Sequence, residues 1–355
     1  MTLLLACAFS LAISVARGEP LSPSNYLQKL SPGINLGNTM EAIPNETAWG
    51  NPKPTVAYFK AVKAAGFSSV RIPLAWTQYS DKDLRIDPKW MLHVSDVVHM
   101  ANRAGLYAVI NVHWDGGWIQ ATYAKRVAAK AKLAKFWTQI AINFRSYDDR
   151  LLFAGTNEIG VDGVYGPPTS ENGEVQNGYN QVFVDAVRAT GGMNKVRWLV
   201  VQGYNTNIDD AVKVNAKMPV DPAQGRLMME VHYYAPYDFT LNERSDIWQW
   251  GAGATDPKAT ETWANEAYTD TAFQKMKETF VDRGVPVLVG EYCAGMKQRF
   301  PGMRPFRDEW DRYITQSAYR RGLVPMLWDT GSLFDRTTGE PKEPELIKTI
   351  VGAAK

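Results

Sequence analysis

Glu158 and Glu291 are the residues hardest to explain by packing alone. Each closes a short apolar run, Glu158 after 151–155 and Glu291 after 286–289. A carboxylate beside a buried segment carries a desolvation penalty unless it has partners. Two such groups in one cleft can divide their labour. One keeps a proton and donates it; the other stays ionised and attacks an electrophilic carbon.

Other chemically able side chains recur in the same place, just after an apolar run. Asn38 follows the first run and Arg71 sits in the second. His113-Trp114 follows the third, and Asn157 precedes Glu158 after the fourth. Gln202 and Asn205 follow the fifth, His232 and Tyr234 the sixth, and Trp328 ends the eighth. Singly, each has a plainer explanation. Arg71 could pair a buried carboxylate, His113 and His232 could be satisfied core histidines, and Trp328 could be packing. Together they form a constellation that packing does not require. A carboxyl pair in such a setting suits cleavage of a glycosidic bond, about 5–5.5 Å apart for retention and about 6.5–9.5 Å for inversion.

The elements that must carry these residues follow from the apolar pattern. Eight runs recur, at 33–36, 69–72, 107–112, 151–155, 198–201, 227–231, 286–289 and 324–328. Several are preceded by a glycine that closes a helical stretch, as in Ala65-Gly66-Phe67, Ala104-Gly105-Leu106, Arg283-Gly284-Val285 and Arg321-Gly322-Leu323. Glycine past a helix end accepts the left-handed turn that caps it, and a short apolar run bounded this way reads as a buried parallel strand. Helical periodicity is clearest over 90–103 and 127–144. The lysines of 125–135 fall mostly on one helix face, a solvated outer surface. His93 and His99 sit on a predicted helix and read as structural. Strand and helix modules in this number predict an α/β fold, a single-domain (β/α)8 TIM barrel, whose chemistry gathers at the C-terminal ends of the strands. In that ring the fourth and seventh strands are expected on opposite walls of the mouth. An open doubly wound sheet would want a glycine-rich phosphate loop after an early strand, and none is present. The long segment 233–270, with Trp248, Trp250 and Trp263, reads as an elaborated cleft wall, and the loop 160–178 as a shaper of the product side.

Composition narrows the partners. The 355 residues carry a formal net charge of +2, without the basic surplus of a nucleic-acid binder. The 12 Trp and 16 Tyr exceed what strands alone need, and flat rings in a cleft can stack on sugars. Residues 3–16 are almost wholly apolar and end in Ser14-Val15-Ala16, the pattern of a secretory leader with a small-x-small cleavage site. A leader over 1–18 and a catalytic domain over 19–355 are therefore expected, with a secreted or periplasmic location. Leu4-Leu5-Ala6-Cys7 also looks like a lipoprotein box, though little apolar sequence precedes Cys7. Cleavage would leave Cys293 alone and exclude an internal disulfide. A monomer is expected, with no cofactor, no metal, no nucleic acid and no membrane contact after cleavage.

At these positions the chain resembles glycoside hydrolase family 5, the large cellulase family of retaining barrel enzymes. The likeness spans essentially the whole chain after the leader. Gly33-Ile34-Asn35-Leu36-Gly37-Asn38 looks like the family's first strand, Val70-Arg71-Ile72-Pro73 its second, and Val109-Ile110-Asn111-Val112-His113-Trp114 its third. Asn157-Glu158 matches the fourth, Val231-His232-Tyr233-Tyr234 the sixth, Val289-Gly290-Glu291-Tyr292 the seventh, and Met326-Leu327-Trp328 the eighth. The resemblance implies Glu158 as acid/base and Glu291 as nucleophile. It implies Asn157 on the sugar 2-hydroxyl, with Arg71 and Tyr234 holding Glu291 ionised. Asn38, His113, Trp114 and His232 would line the sites around the bond, and Trp328 would lie under the sugar just before it. Trp49 and Trp118 would serve more distant sites. The family usually has Glu where Ala154 stands and Pro where Ile159 stands, which implies that a carboxylate beneath the cleft is missing here. The implied activity is retaining endo-β-1,4-glucanase on a β-1,4-linked polysaccharide, cellulose or mixed-linkage glucan first, xyloglucan or mannan next.

Two readings compete from other classes. A metal-dependent hydrolase needs convergent His and acidic ligands, but the chain has only 4 His and no His-x-His pair. A non-catalytic carbohydrate-binding barrel would not need both glutamates.

Overall fold

The computed structural model describes residues 19–355. The expected leader, with Cys7, lies outside them. Eight parallel strands close on themselves in sequence order, β1 (Gly33–Asn35), β2 (Ser69–Ile72), β3 (Tyr107–Asn111), β4 (Leu151–Ala154), β5 (Leu199–Gln202), β6 (Leu227–His232), β7 (Val287–Tyr292) and β8 (Leu323–Leu327). The ring is completed where Gly33 of β1 pairs with Met326 of β8. Each apolar run of the sequence is one of these strands, to within a few residues. The open-sheet alternative is excluded by closure. Strands β4 and β7 are not opposite, however. They stand three steps apart in the ring of eight, one step short of diametric, so their ends still face each other across the mouth.

Helices fill the crossovers for local reasons. The helix Pro88–Arg103 starts with proline in its first turn, and Asp87 accepts the Lys89 N–H. Gly66, at φ 108°, ends the helix Val56–Ala65 in the left-handed region. The stretch 160–178 is only partly a loop. Thr169 and Asn172 form a capping box, and the helix Ser170–Arg188 begins there.

The strands face two ways. Outward residues pack under the helices in one large apolar cluster. Inward, Val109, Leu152, Ala154, Val200, Met228, Leu288, Val324 and Met326 fill the barrel, joined by Leu21, Tyr26 and Leu30 from the N-terminal segment. Trp198 Nε1 donates to the Leu21 carbonyl, and the Tyr26 hydroxyl to that of Gly322. The N-terminal segment therefore plugs the bottom of the barrel. Above the apolar filling the interior turns polar, with Asn35, Arg71, Gln202 and Glu230 all buried.

Strand β7 breaks the alternation. Leu288 packs inside and Val289 outside, so Gly290 should face in and Glu291 out. Pairing shifts at this point. Val231 opposes Val289, yet the next residue, His232, opposes Glu291. The pairing of β7 with β8 slips between Val289 and Tyr292 as well. One extra residue in β7 therefore turns Glu291 into the mouth, as a β-bulge does.

Candidate active site

Three strand ends build the centre. Glu158 follows β4 with φ 45°, a strained conformation for a residue with a side chain. Glu291 lies on the β7 bulge, and His232 ends β6 beside it. One ligand-type atom each from Glu158, His232 and Glu291 lie within 4.8 Å of one another. A nearest-atom approach this short lies beside the about 5–5.5 Å spacing of a retaining pair.

Each carboxylate has its own partners. Arg71 Nη1 donates to Glu291 Oε1 at 2.8 Å, and the Tyr234 hydroxyl donates to Oε2 at 3.0 Å. The same guanidinium reaches Asn35 Oδ1 and Asn157 Oδ1. Glu158 Oε1 lies 2.7 Å from His232 Nδ1, which is itself 3.6 Å from Glu291 Oε2. The Glu158 side chain is 44% exposed and that of Glu291 only 6%.

The remaining expected residues flank this centre. His113 and Trp328 are stacked, centroids 5.9 Å apart and planes within 8°. Gly37 makes room for Trp328, since a Cβ there would meet the indole at 2.9 Å. Asn111 fixes the His113 tautomer. Its Oδ1 accepts the Leu74 N–H, so its Nδ2 faces His113 Nδ1 at 3.1 Å, leaving the ring proton on Nε2. Burial, with the charges of Arg71 and His232, holds His113 well below its ordinary pKa, so it is neutral. Trp114 is exposed and lines a cleft of about 710 Å³ together with Asn157, Glu158, Tyr165, Tyr204 and Asn205. Asp115 anchors that loop by accepting from the Trp76 and Thr77 N–H groups and from Trp118 Nε1. Asn38 stands apart. Its N–H goes to Glu41, its carbonyl accepts from Asn51, and its side chain makes no hydrogen bond to the central cluster. Of the aromatic wall, Trp263 is exposed, Trp250 is buried with Nε1 on the Ala264 carbonyl, and Trp248 stacks on Phe300.

Sequence reasoning missed Glu230. It lies on β6 two residues before His232, fully buried, with Oε1 2.9 Å from Arg71 Nε and 3.3 Å from His232 Nε2. Its Oε2 accepts from Gln202 Nε2 at 2.9 Å. The carboxylate expected to be missing, with Ala154 on β4, is thus supplied from β6. The available signal was a charge inside the apolar run 227–231, in phase with His232.

Electrostatics follow from this crowding. Burial opposes charge on His232, but Glu291, Glu158 and Glu230 together push it up to about 9. Burial likewise opposes charge on Glu230, but Arg71, His232 and Gln202 hold it down to about 2. Glu158 is raised by burial but lowered more by the hydrogen bond and charge of His232, and ends below the ordinary carboxylate range. Glu291 ends above it, because burial outweighs His232 and Arg71, and the neighbouring carboxylates add to the rise. A cation beside Glu291 was expected to leave it low; the depth of the bulge reverses that. The same charges disfavour a metal between Glu158, His232 and Glu291, since a protonated imidazole and a guanidinium repel a dication.

A paired-carboxylate mouth on a closed (β/α)8 barrel defines the class, a glycoside hydrolase. The comparisons agree: the cellulase family, glycosyl hydrolase family 5, matches residues 35–333, and the chain belongs to it. It is 42% identical over 342 residues to a xyloglucan-specific endo-β-1,4-glucanase of Bacteroides ovatus, spanning 90% of this chain and 68% of the relative. It is 36% identical to endoglucanase A of Paenibacillus barcinonensis, over 97% of this chain and 93% of that one. Among solved structures, a Bacteroides ovatus family 5 xyloglucanase bound to a XXXG heptasaccharide superposes with a TM-score of 0.91 at 39% identity, covering 95% of this chain and 77% of the other. A family 5 xyloglucanase from Paenibacillus pabuli gives 0.88 at 37%, covering 93% and 100%.

Proposed function

We propose that the protein is a retaining endo-β-1,4-glucanase acting by double displacement, with Glu291 as nucleophile and Glu158 as acid/base. The observation that carries this is the meeting of the two carboxylates within 4.8 Å, each with a different set of partners. Glu291 is gripped on both oxygens, by Arg71 and Tyr234, as an attacking group needs. Glu158 is exposed to the cleft and shares a proton with His232, as a donor needs.

In the first step Glu291 attacks the anomeric carbon while the bond to the leaving oxygen breaks. The Glu158 carboxyl proton passes to that oxygen, leaving a glycosyl ester on Glu291. In the second, water gives a proton to Glu158 and its oxygen attacks the same carbon, releasing Glu291. A glycan covering Glu158 excludes water from it, which raises its pKa and favours the protonated donor. Asn157 Oδ1 is taken by Arg71, so its amide NH2 is the group left for the sugar 2-hydroxyl. Trp328, backed by Gly37 and stacked with His113, offers a face to the sugar before the bond. The cleft beside Glu158, walled by Trp114 and by the loop 160–167, takes the leaving sugars. Asn38 would contribute to the sugar-binding mouth only at its periphery.

A second reading within this activity has its own support. Relatives named as xyloglucan enzymes share 33–42% identity with this chain, and the cleft beside Glu158 has a volume of about 710 Å³. Initial rates on xyloglucan, carboxymethylcellulose, mixed-linkage glucan and mannan separate the substrates. A rate on xyloglucan below that on the unbranched glucans removes the second reading, and no reducing-sugar release from any of them removes the first. Export of the chain is proposed on the leader-like residues 1–18, and one catalytic domain over 19–355 on the single closed barrel. No helix among the described residues is long and apolar enough to cross a membrane.

A further inference from the structure

We infer that Glu230 is a positioning residue shared by both catalytic carboxylates. From beneath them it sets which ring nitrogen of His232 keeps a proton and which edge of Arg71 faces Glu291. The inference rests on the roles proposed above for Glu158 and Glu291.

Glu230 is held so that it can hold others. Gln202 donates to its Oε2, and Gln202 Oε1 in turn accepts from the Thr156 hydroxyl at 3.1 Å, which fixes the amide orientation. The space for its carboxyl group exists because residue 290 has no side chain. A Cβ on Gly290 would lie 2.0 Å from Glu230 Oε1. The β7 bulge therefore does two things at one point: it aims Glu291 into the mouth and opens the berth for Glu230.

Two consequences follow from one oxygen. A guanidinium is planar, so a carboxylate packed against its Nε, an ion pair not aligned with the Nε–H, limits the directions open to the other two nitrogens. With Nε 2.9 Å from Glu230 Oε1, Nη1 meets Glu291 and Nη2 meets Asn157. On the other side, an anionic acceptor 3.3 Å from His232 Nε2 keeps a proton on that nitrogen. The second ring nitrogen then faces Glu158 with one proton between them. That proton can sit on Nδ1, giving imidazolium and a Glu158 carboxylate. It can equally sit on Oε1, giving neutral imidazole and a Glu158 carboxylic acid ready to donate. Were Nε2 bare instead, Nδ1–H would be fixed on the ring and could only donate to Glu158.

The test is Glu230→Gln in the full chain, read as the pH dependence of kcat/KM on a soluble β-glucan. Glutamine keeps the shape and removes the charge. The expected result is a fall of about 100-fold, the scale of a misaligned catalytic group. The alkaline limb should also move to lower pH, because loss of a neighbouring negative charge releases the shared proton earlier. A lower rate with both limbs unmoved would mean a merely structural role and overturn the inference, as would an unchanged rate. A measurement on the wild type does not depend on the variant folding. In 15N-histidine NMR, the His232 signal, assigned by its loss in His232→Asn, should stay protonated at Nε2 up to and beyond neutral pH. A neutral Nδ1–H tautomer, or titration near the free value of about 6.5, overturns it. Failure of the roles themselves shows elsewhere, as activity retained in Glu158→Gln or Glu291→Gln.

Discussion

Two cations and three carboxylates share the barrel mouth, Arg71 and His232 against Glu158, Glu230 and Glu291. With one proton shared between His232 and Glu158 that pair is neutral overall, and Arg71 faces the ionised Glu230 and Glu291, the state in which one carboxyl can donate while the other attacks. Buried charges of this number weigh against stability unless fully paired, so their retention favours a role in chemistry. Glu158→Gln removes the donor, and turnover should fall by about 100- to 10,000-fold on polysaccharide. It should fall far less on an aryl glycoside whose leaving group needs no proton; an equal loss on both would argue against the acid role. Glu291→Ala should be inactive with water yet form an α-glycosyl azide when azide is added, azide replacing the missing nucleophile. A β-azide product would exchange the roles of the two glutamates.

At the level of the element, the β7 bulge decides where chemistry can occur. Gly290→Ala places a Cβ 2.0 Å from the Oε1 of Glu230, a buried carboxylate paired with Arg71. The expected outcome is a loss of activity approaching that of the Glu291 variants, because Glu230 and Glu291 are both displaced. Wild-type kcat/KM in a folded Gly290→Ala protein would show that the bulge tolerates a side chain. This element also marks how far the sequence could be read. The eight strands were legible because buried parallel strands need continuous apolar runs, and because glycine must follow a helix that turns left-handed. The residues at their C-terminal ends were legible because polar groups there have no packing reason to exist. Glu230 was not, since a charge inside an apolar run shows no partner until the barrel closes on Arg71 from four strands away. Nor was the direction of Glu291, because alternation assigns it the wrong face and an inserted residue in a parallel ladder leaves no periodic trace. The segment 160–178 was read as all loop because its glycines and asparagines mask a helix that a capping box starts.

Across the whole molecule, stability and chemistry occupy opposite ends of the barrel. Leu30 belongs to the bottom plug and is fully buried, so Leu30→Ala should destabilise by about 2–5 kcal/mol in urea titrations. It should leave kcat/KM per folded molecule unchanged; a changed value would couple plug to mouth. Ionisation of buried groups adds a pH dependence to that stability. Burial pushes Asp311 up to about 8 and Glu41 up to about 7, while the surrounding carboxylates overcome burial to push His232 to about 9. All three bind protons more tightly folded than unfolded. Each therefore surrenders stability as pH climbs from its unfolded value to its folded one. Those windows run from 3.8 to about 8 for Asp311, from 4.5 to about 7 for Glu41 and from 6.5 to about 9 for His232. Glu230, held down to about 2, works in the other direction, and its contribution is lost only as pH falls from 4.5 to about 2. The urea midpoint should accordingly be highest near about pH 4 and decline toward about pH 9. Asp311 accepts the Ala294 N–H through Oδ1, a bond that asparagine preserves. Asp311→Asn should therefore stay folded and flatten the decline between about pH 4 and 8, where the wild-type carboxyl must ionise out of reach of water. A midpoint that rises with pH, or a variant with the wild-type slope, would place the alkaline weakness in groups other than these.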